Sequence, residues 1–244
     1  MEGNITNSSL NQIANFRYIG IAIGVVDIIL GTLGNLLTIV VLARISTLQS
    51  SFNIFITSLA VVDLLTAALM MPFNVAGYAQ MDWSLGGAES ITASIQAFVY
   101  FCCGYTSITC FVLITTNRYI SVMLPTHYKT LFSKSRIIGA VIISWMVAPA
   151  FLLPVLLGRG ADGRPIIGWH RDQLLCTFIN VTGNWRSYMQ VLRVLFQFLP
   201  IFAMVVMYAM MLWRFRRQVA NVENPTLPWE KQNNGSEGAE LMEM

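Results

Sequence analysis

The sequence predicts an all-α membrane protein with five transmembrane helices, and its composition and apolar stretches carry this prediction. The 244-residue chain is 55% hydrophobic and only 11% charged, whereas soluble domains carry about 25% charged residues. Five stretches reach the roughly 20 apolar residues that a helix needs to cross a bilayer core. They are too long and too uniformly apolar for barrel strands, which alternate over about 10 residues. The predicted spans are Tyr18–Ala43, Asn53–Tyr78, Ile91–Met123, Ile137–Leu157 and Tyr188–Trp213.

The first span and the charges around the spans determine the predicted topology. At about 26 residues the first span exceeds the 7–15 residues of a signal-peptide core, so we expect it to stay in the chain as a helix. With the N-terminus outside, nine Lys and Arg residues lie on the inner side and five on the outer side, in agreement with the positive-inside rule. The sequons that then lie outside predict glycosylation of Asn4, Asn7 and Asn180.

This topology divides the chain into three parts. We expect an extracellular segment at residues 1–17, a helical domain at 18–218 and a disordered cytosolic tail at 219–244, where five glutamates and few apolar residues occur. The predicted location is the plasma membrane, with lipid as the surroundings of the spans. The net charge of +3 forms no basic stripe, so nucleic acid is not an expected partner.

Polar side chains in the first two spans are candidates for function, because each costs free energy in lipid. Asp63 lies in the middle of the second span, where a carboxylate must be protonated, paired or bound to a cation. Asn35 follows Gly34 in the middle of the first span. The alternative for both is a hydrogen bond between helices, worth about 0.6 kcal/mol. Asp27 also lies in the first span, and the sequence assigns it no role.

The third span carries one stripe of polar and aromatic residues from its outer part to its inner end. Tyr100, Gly104, Ser107, Phe111 and Arg118 follow helical spacing. At about 1.5 Å rise per residue, Tyr100 and Arg118 are roughly 27 Å apart along the helix axis, close to the thickness of the bilayer core. The stripe therefore connects the two faces of the membrane, although a surface for helix packing explains the same spacing equally well.

In the fifth span, Arg193 lies seven residues before Pro200. Two positions of its guanidinium group agree equally well with the sequence. It either faces an outer cavity and meets an anionic ligand group, or it extends to the outer membrane interface.

The ordered set of motifs resembles the rhodopsin-like, or class A, G-protein-coupled receptors. One hallmark of that family falls in each of the first five helices, and a tryptophan falls in the first outer loop. The match covers roughly residues 18–218, and the chain then corresponds to the first five helices of a seven-helix receptor bundle. The residues that carry the resemblance are Gly34-Asn35, Leu59-Ala60-x-x-Asp63, Trp83, Asn117-Arg118-Tyr119, Trp145, Pro200 and Tyr208.

The resemblance implies three sets of site residues and a heterotrimeric G protein as partner once helices six and seven complete the bundle. The switch toward the G protein is implied at Asn117, Arg118, Tyr119 and Tyr208. A small-molecule pocket is implied at Asn74, Tyr100, Phe101, Gly104, Leu192 and Arg193. A sodium site, incomplete without the seventh helix, is implied at Asn35, Asp63 and Ser107. No other cofactor is implied.

Two local features refine this resemblance. Asn117 stands where the family usually has an acid, and this variant together with Leu175-Cys176-Thr177-Phe178 is similar to melatonin receptors and related invertebrate orphan receptors. Tyr100 stands where amine receptors carry an aspartate, so a neutral or anionic ligand is expected rather than an amine. Because Asn117 lacks the charge that would restrain Arg118, we also expect raised basal activity.

The cysteines depart from the family pattern. The family's disulfide joins the outer end of helix three to the second outer loop, but its helix-three position is Ala93 here, which leaves Cys176 without its usual partner. Cys102 is nine residues deeper, about 13 Å along the helix, and a disulfide needs Cα atoms within about 7 Å. We expect no disulfide within the chain. Cys102, Cys103 and Cys110 are expected to be buried thiols, and Cys176 is expected to be free or bonded between chains.

The second departure is that the sequence ends after the fifth span, without the family's Cys-Trp-x-Pro and Asn-Pro-x-x-Tyr motifs. We expect an incomplete receptor. The alternative is a short product that binds full-length receptor as an oligomer, is retained in the endoplasmic reticulum and does not signal. Gly20 and Gly24 offer it a small-residue packing motif. The sequence shows no internal repeat and no Ser-His-Asp set, which argues against a transporter or an enzyme.

Overall fold

The computed structural model describes residues 7–44 and 51–223, with side chains for residues 17–44 and 51–220. This part of the chain is a helical bundle with one short hairpin between its fourth and fifth long helices. The elements are α1 (Asn7–Arg44), α2 (Ser51–Leu65), α3 (Met71–Gln80), α4 (Ile91–Met123), α5 (Pro125–Leu131), α6 (Lys134–Leu157), β1 (Ile167–His170), β2 (Leu175–Phe178), α7 (Asn184–Arg193) and α8 (Leu199–Glu223).

Five helices in the described part are long and apolar enough to cross a membrane, which confirms the predicted fold class. Four of them begin and end within three residues of the predicted bounds. The fifth begins four residues earlier and ends seven residues later than predicted, because polar turns continue the helix beyond its apolar core. The observed spans are Arg17–Arg44, Ser51–Gln80, Ile91–Met123, Lys134–Leu157 and Asn184–Ala220.

The ends of the bundle differ from the predicted division of the chain. Helix α1 begins at Asn7, inside the predicted extracellular segment. Helix α8 runs to Glu223, so residues 219–223 of the predicted tail are helical. The remainder of the tail, residues 224–244, and the sequon residue Asn4 lie outside the described residues.

Two spans contain a wide helical turn just before a proline. In the second span the π-helical turn Thr66–Met70 precedes Pro72, and in the fifth span Val194–Phe198 precedes Pro200. A proline ring clashes with the carbonyl four residues earlier and removes one hydrogen-bond donor. A widened turn relieves that clash, and such turns re-aim the side chains next to them.

The third span lies at the centre of the bundle. Helix α4 contacts α2, α6, α8 and the hairpin, whereas α1 packs on α2 and α3. A buried hydrophobic cluster lies at the outer end of α4 and includes Trp83, Trp169 and Leu192. Gly77 permits this packing, since a Cβ at that position would overlap the indole ring of Trp169.

Hydrogen bonds and ring contacts hold the β1–β2 hairpin on the outer end of the third span. The Trp169 amide donates to Ala88 O at 2.9 Å, and the buried Ser94 hydroxyl donates to Ile167 O at 2.8 Å. Trp83 and Trp169 pack with ring centroids 5.9 Å apart. These contacts occupy the region where the family places its disulfide.

All four cysteines are buried free thiols. Cys176 pairs with Trp169 in the hairpin and is 1% exposed, and Ala93 is buried in the same cluster. Burial raises the pKa of the Cys176 thiol to about 12. The thiol is therefore neutral at physiological pH, and its sulfur does not face the surface where a bond between chains would form.

Candidate functional site

Four predicted site residues of the third span line one cavity near the middle of the bundle. Tyr100, Phe101, Gly104 and Ser107 share a cavity of about 230 Å³ with Asp63 of the second span. The helical stripe read from the sequence thus faces the interior at these positions. The further lining residues are Thr66, Tyr105, Ile108 and Gln197.

Tyr105 and Gln197 were not among the predicted site residues. Tyr105 stacks on Phe196 with ring centroids 4.6 Å apart, so the third and fifth spans meet at this wall. Gln197 is a polar residue inside an apolar span, and the cost of such residues in lipid is a signal by which it could have been found from the sequence. Gln197 lies in the wide turn before Pro200, and its side chain lines the cavity.

Two of the three predicted sodium ligands come together. The Ser107 hydroxyl donates to Asp63 Oδ1 at 2.6 Å. Asn35 instead donates its side-chain amide to Gly31 O of its own helix at 2.8 Å, and it does not line the cavity. The carboxylate and hydroxyl oxygens suit a hard cation, whereas the Asn35 amide already donates a hydrogen bond within α1.

Aromatic rings form the outer wall of this cavity. Phe101 packs against Phe178 of the hairpin with ring centroids 4.6 Å apart, and against Tyr100 and Tyr105 at 6.3 and 6.1 Å. Such rings bind the apolar body of a ligand and hold it in one orientation. Among the described residues, Asp63 is the one acidic group that lines the cavity, and it accepts a hydrogen bond from Ser107.

The other predicted ligand residues lie apart from this cavity. Arg193 lines a second, outer cavity of about 470 Å³ between the hairpin and α7. Leu192 is fully buried in the outer cluster and lines neither cavity. Asn74 is also buried, and its Oδ1 atom has no hydrogen-bond partner among the described residues.

The inner end of the third span holds the predicted switch residues in an arrangement that the sequence did not indicate. The Arg118 guanidinium lies over the ring of Phe52, 3.9 Å from its centroid. Among the described residues, the Asn117 side chain forms no hydrogen bond with this arginine. It is buried, and its amide donates to the Tyr128 hydroxyl at 3.2 Å. A cation–π contact thus stands where the family usually has an ion pair to a neighbouring acid.

The remaining switch residues lie between the third and fifth spans. The Thr115 hydroxyl donates to the Tyr208 hydroxyl at 3.5 Å, and Tyr208 is 54% exposed. The Tyr119 hydroxyl contacts the sulfur of Met210 at 3.9 Å. The second and fifth spans therefore both contact the inner end of the third span through these residues.

The predicted glycosylation sites differ in their surroundings. Asn180 lies in the outer loop after β2, and its side-chain amide donates to Pro165 O at 3.0 Å. Attachment of a glycan replaces one of the two hydrogens on this nitrogen, and the other can still donate to Pro165 O. Asn7 is the first residue of α1, and its side chain lies outside the described set.

One family profile and several known proteins are similar in sequence to this chain. A profile of the family described as "7 transmembrane receptor (rhodopsin family)" matches residues 34–239. G-protein coupled receptor 84 of Bos taurus is 33% identical over 144 residues, which are 59% of this chain and 36% of that protein. Growth hormone secretagogue receptor type 1 of Homo sapiens is 27% identical over 194 residues, 78% of this chain and 52% of that protein. Dopamine receptor 2 of Caenorhabditis elegans is 33% identical over 154 residues, which are 61% of this chain and 18% of that protein.

Proposed function

This chain belongs to the rhodopsin family of seven-transmembrane receptors, and we propose that it forms the first five helices of a receptor that activates a heterotrimeric G protein. The chain spans between about a fifth and a half of the length of these relatives, which are receptors and not enzymes. One observation carries the proposal. A single helix, α4, lines the central cavity at Tyr100–Ser107 and presents Arg118 at its inner end.

We propose a small ligand that is not an amine. An amine receptor needs a carboxylate beside the ligand nitrogen, and Tyr100 stands at that position here. One relative's name refers to no ligand and the other two refer to different ones, a growth hormone secretagogue and dopamine, so this proposal rests on the cavity itself. The particular likeness to melatonin receptors, carried by Asn117 and the residues around Cys176, stays a prediction.

We propose that Asp63 and Ser107 hold a sodium ion in the complete bundle, with further ligands supplied by other helices. Their oxygens already lie 2.6 Å apart. Asn35 would join this sodium site only after its hydrogen bond to Gly31 O breaks and its side chain turns toward Asp63. The ion would supply a positive charge that compensates the Asp63 carboxylate in a site surrounded by lipid-facing helices.

We propose that the N-terminus lies outside and that the receptor acts at the plasma membrane. The bias of Lys and Arg toward the inner loops supports this orientation. In this orientation the hairpin and the outer cavity lie toward the outside, the central cavity lies near the middle of the bundle, and Arg118 lies at the cytosolic end of the third span.

The test is nucleotide exchange on a G protein in membranes that contain this chain together with two further helices. These helices come either from the continuing reading frame or from a co-expressed fragment of a relative. We expect Arg118→Ala to lower exchange at least tenfold at unchanged surface level. Arg136→Ala is the matched control, because it removes an exposed inner arginine whose hydrogen bond within the described part of the chain goes to Thr130 O. Equal exchange by both variants would refute the proposed switch.

A second proposal is a product that binds full-length receptor and lowers its surface level without signalling. It is supported by two exposed aromatic residues on the third and fifth spans, Phe111 at 46% and Tyr208 at 54%. The glycine motif does not support it, since Gly20 and Gly24 face Tyr78 and Val75 of the same chain. Co-precipitation with full-length receptor and a fall in its surface level test this proposal.

A further inference from the structure

The outer cavity is lined by one face of α7 and by the end of the hairpin. Arg186, Met189, Gln190 and Arg193 lie at offsets of zero, three, four and seven residues, so they form one stripe along α7. Opposite them lie Gln173, Thr177, Phe178 and Val181. The cavity of about 470 Å³ is large enough for a small organic molecule.

Positive charge in this cavity is not balanced by the described residues. The ion pairs of the outer surface join Arg164 to Glu89 and Asp162, and Arg171 to Asp82. Within residues 17–44 and 51–220, the guanidinium groups of Arg186 and Arg193 have no ion pair or hydrogen bond, and no acidic side chain lines the cavity. Two cations that share one concave surface raise the local concentration of anions.

The neighbours of these arginines suit an organic anion better than water alone. The guanidinium group binds a carboxylate through two parallel hydrogen bonds. Gln190 and Gln173 carry amide donors that line the same cavity, and Thr177, which also lines it, carries a hydroxyl. Two arginines that only extended to the membrane interface would not need polar groups gathered around a common cavity.

An aromatic contact connects the outer cavity to the central one. Phe178 lines the outer cavity, and its ring packs on Phe101 with centroids 4.6 Å apart. Phe101 in turn lines the central cavity together with Tyr100. An amphipathic molecule with its charge at Arg193 can therefore place its apolar part against the same aromatic wall.

We propose that the receptor binds an organic carboxylate whose acid group is held by Arg193 and Arg186 and whose apolar part packs on Phe178 and Phe101. This inference rests on the proposed function in treating the two cavities as the ligand site of a receptor. It goes further in naming the chemical class of the ligand and Arg186 as a second charge partner.

The test compares dansylglycine with its uncharged counterpart, dansylglycinamide. The full chain is placed in phosphatidylcholine nanodiscs, and dansyl fluorescence is titrated after subtraction of empty nanodiscs. We expect the carboxylate to bind at least tenfold more tightly than the amide. Arg193→Gln and Arg186→Gln should each weaken carboxylate binding about tenfold and leave amide binding unchanged, since a hydrogen bond to a charged group is lost. Arg193→Lys should restore part of the loss.

Arg159→Gln is the matched control. Its guanidinium donates to Gly158 O on the outer surface and does not line the cavity, so carboxylate binding should stay within twofold. Equal binding of the two probes, absence of carboxylate binding, or an equal loss in the control would overturn the proposal. The readout needs no G protein, so a failed exchange assay and a failed binding assay remain distinguishable.

Discussion

Replacing Phe52 by leucine removes the ring that lies over the Arg118 guanidinium while keeping an apolar side chain of similar volume. The cation lies 3.9 Å from the ring centroid, and Arg118 is exposed. A cation–π contact at an exposed site contributes about 0.5–1 kcal/mol. If the contact forms only in the inactive state, its loss shifts the equilibrium toward the active state about two- to fivefold.

The assay is agonist-free nucleotide exchange in membranes that contain the completed receptor, normalised to its surface level. Phe52→Leu should raise basal exchange two- to fivefold, whereas Phe52→Tyr should stay near the unsubstituted level because it keeps a ring. Phe215→Leu serves as control, since this residue is 63% exposed at the inner end of the fifth span. Unchanged exchange in Phe52→Leu, or an equal rise in Phe52→Tyr, would refute the reasoning.

Three predictions concern the outer hairpin. Ala93→Cys should form a disulfide with Cys176, because both positions are buried in one cluster and the family places its disulfide there; a mass shift on reduction measures this, and two free thiols would contradict it. In the unsubstituted chain, N-ethylmaleimide should leave Cys176 unreacted from pH 7 to 9. Its pKa of about 12 keeps the thiol neutral throughout that range, so labelling should increase only as pH rises toward 12 or on unfolding. Gly77→Ala should destabilise the protein by about 1–3 kcal/mol through overlap with Trp169, seen as a lower thermal midpoint. Gly139→Ala, which meets open space, should leave that midpoint unchanged or higher.

Hydropathy was sufficient to predict the helices because each span must satisfy its backbone within itself in lipid. The third span, Ile91–Met123, was predicted to the residue at both ends. The end of α8 was not, since the residues after Trp213 are polar and lipid does not determine whether they stay helical. The wide turns before Pro72 and Pro200 could not be predicted from composition alone either.

The sequence by itself determined that five stretches are long and apolar enough to cross a membrane, which family the chain resembles, and that Tyr100, Gly104 and Ser107 share one helix face. These properties follow from residue type and helical spacing, which are local. Only the tertiary structure decided what each face meets. It joined Asp63 to Ser107 but left Asn35 on Gly31, and it placed Phe52 over Arg118. The packing of separate helices sets such contacts, and spacing within one helix carries no information about the rotation of its neighbour.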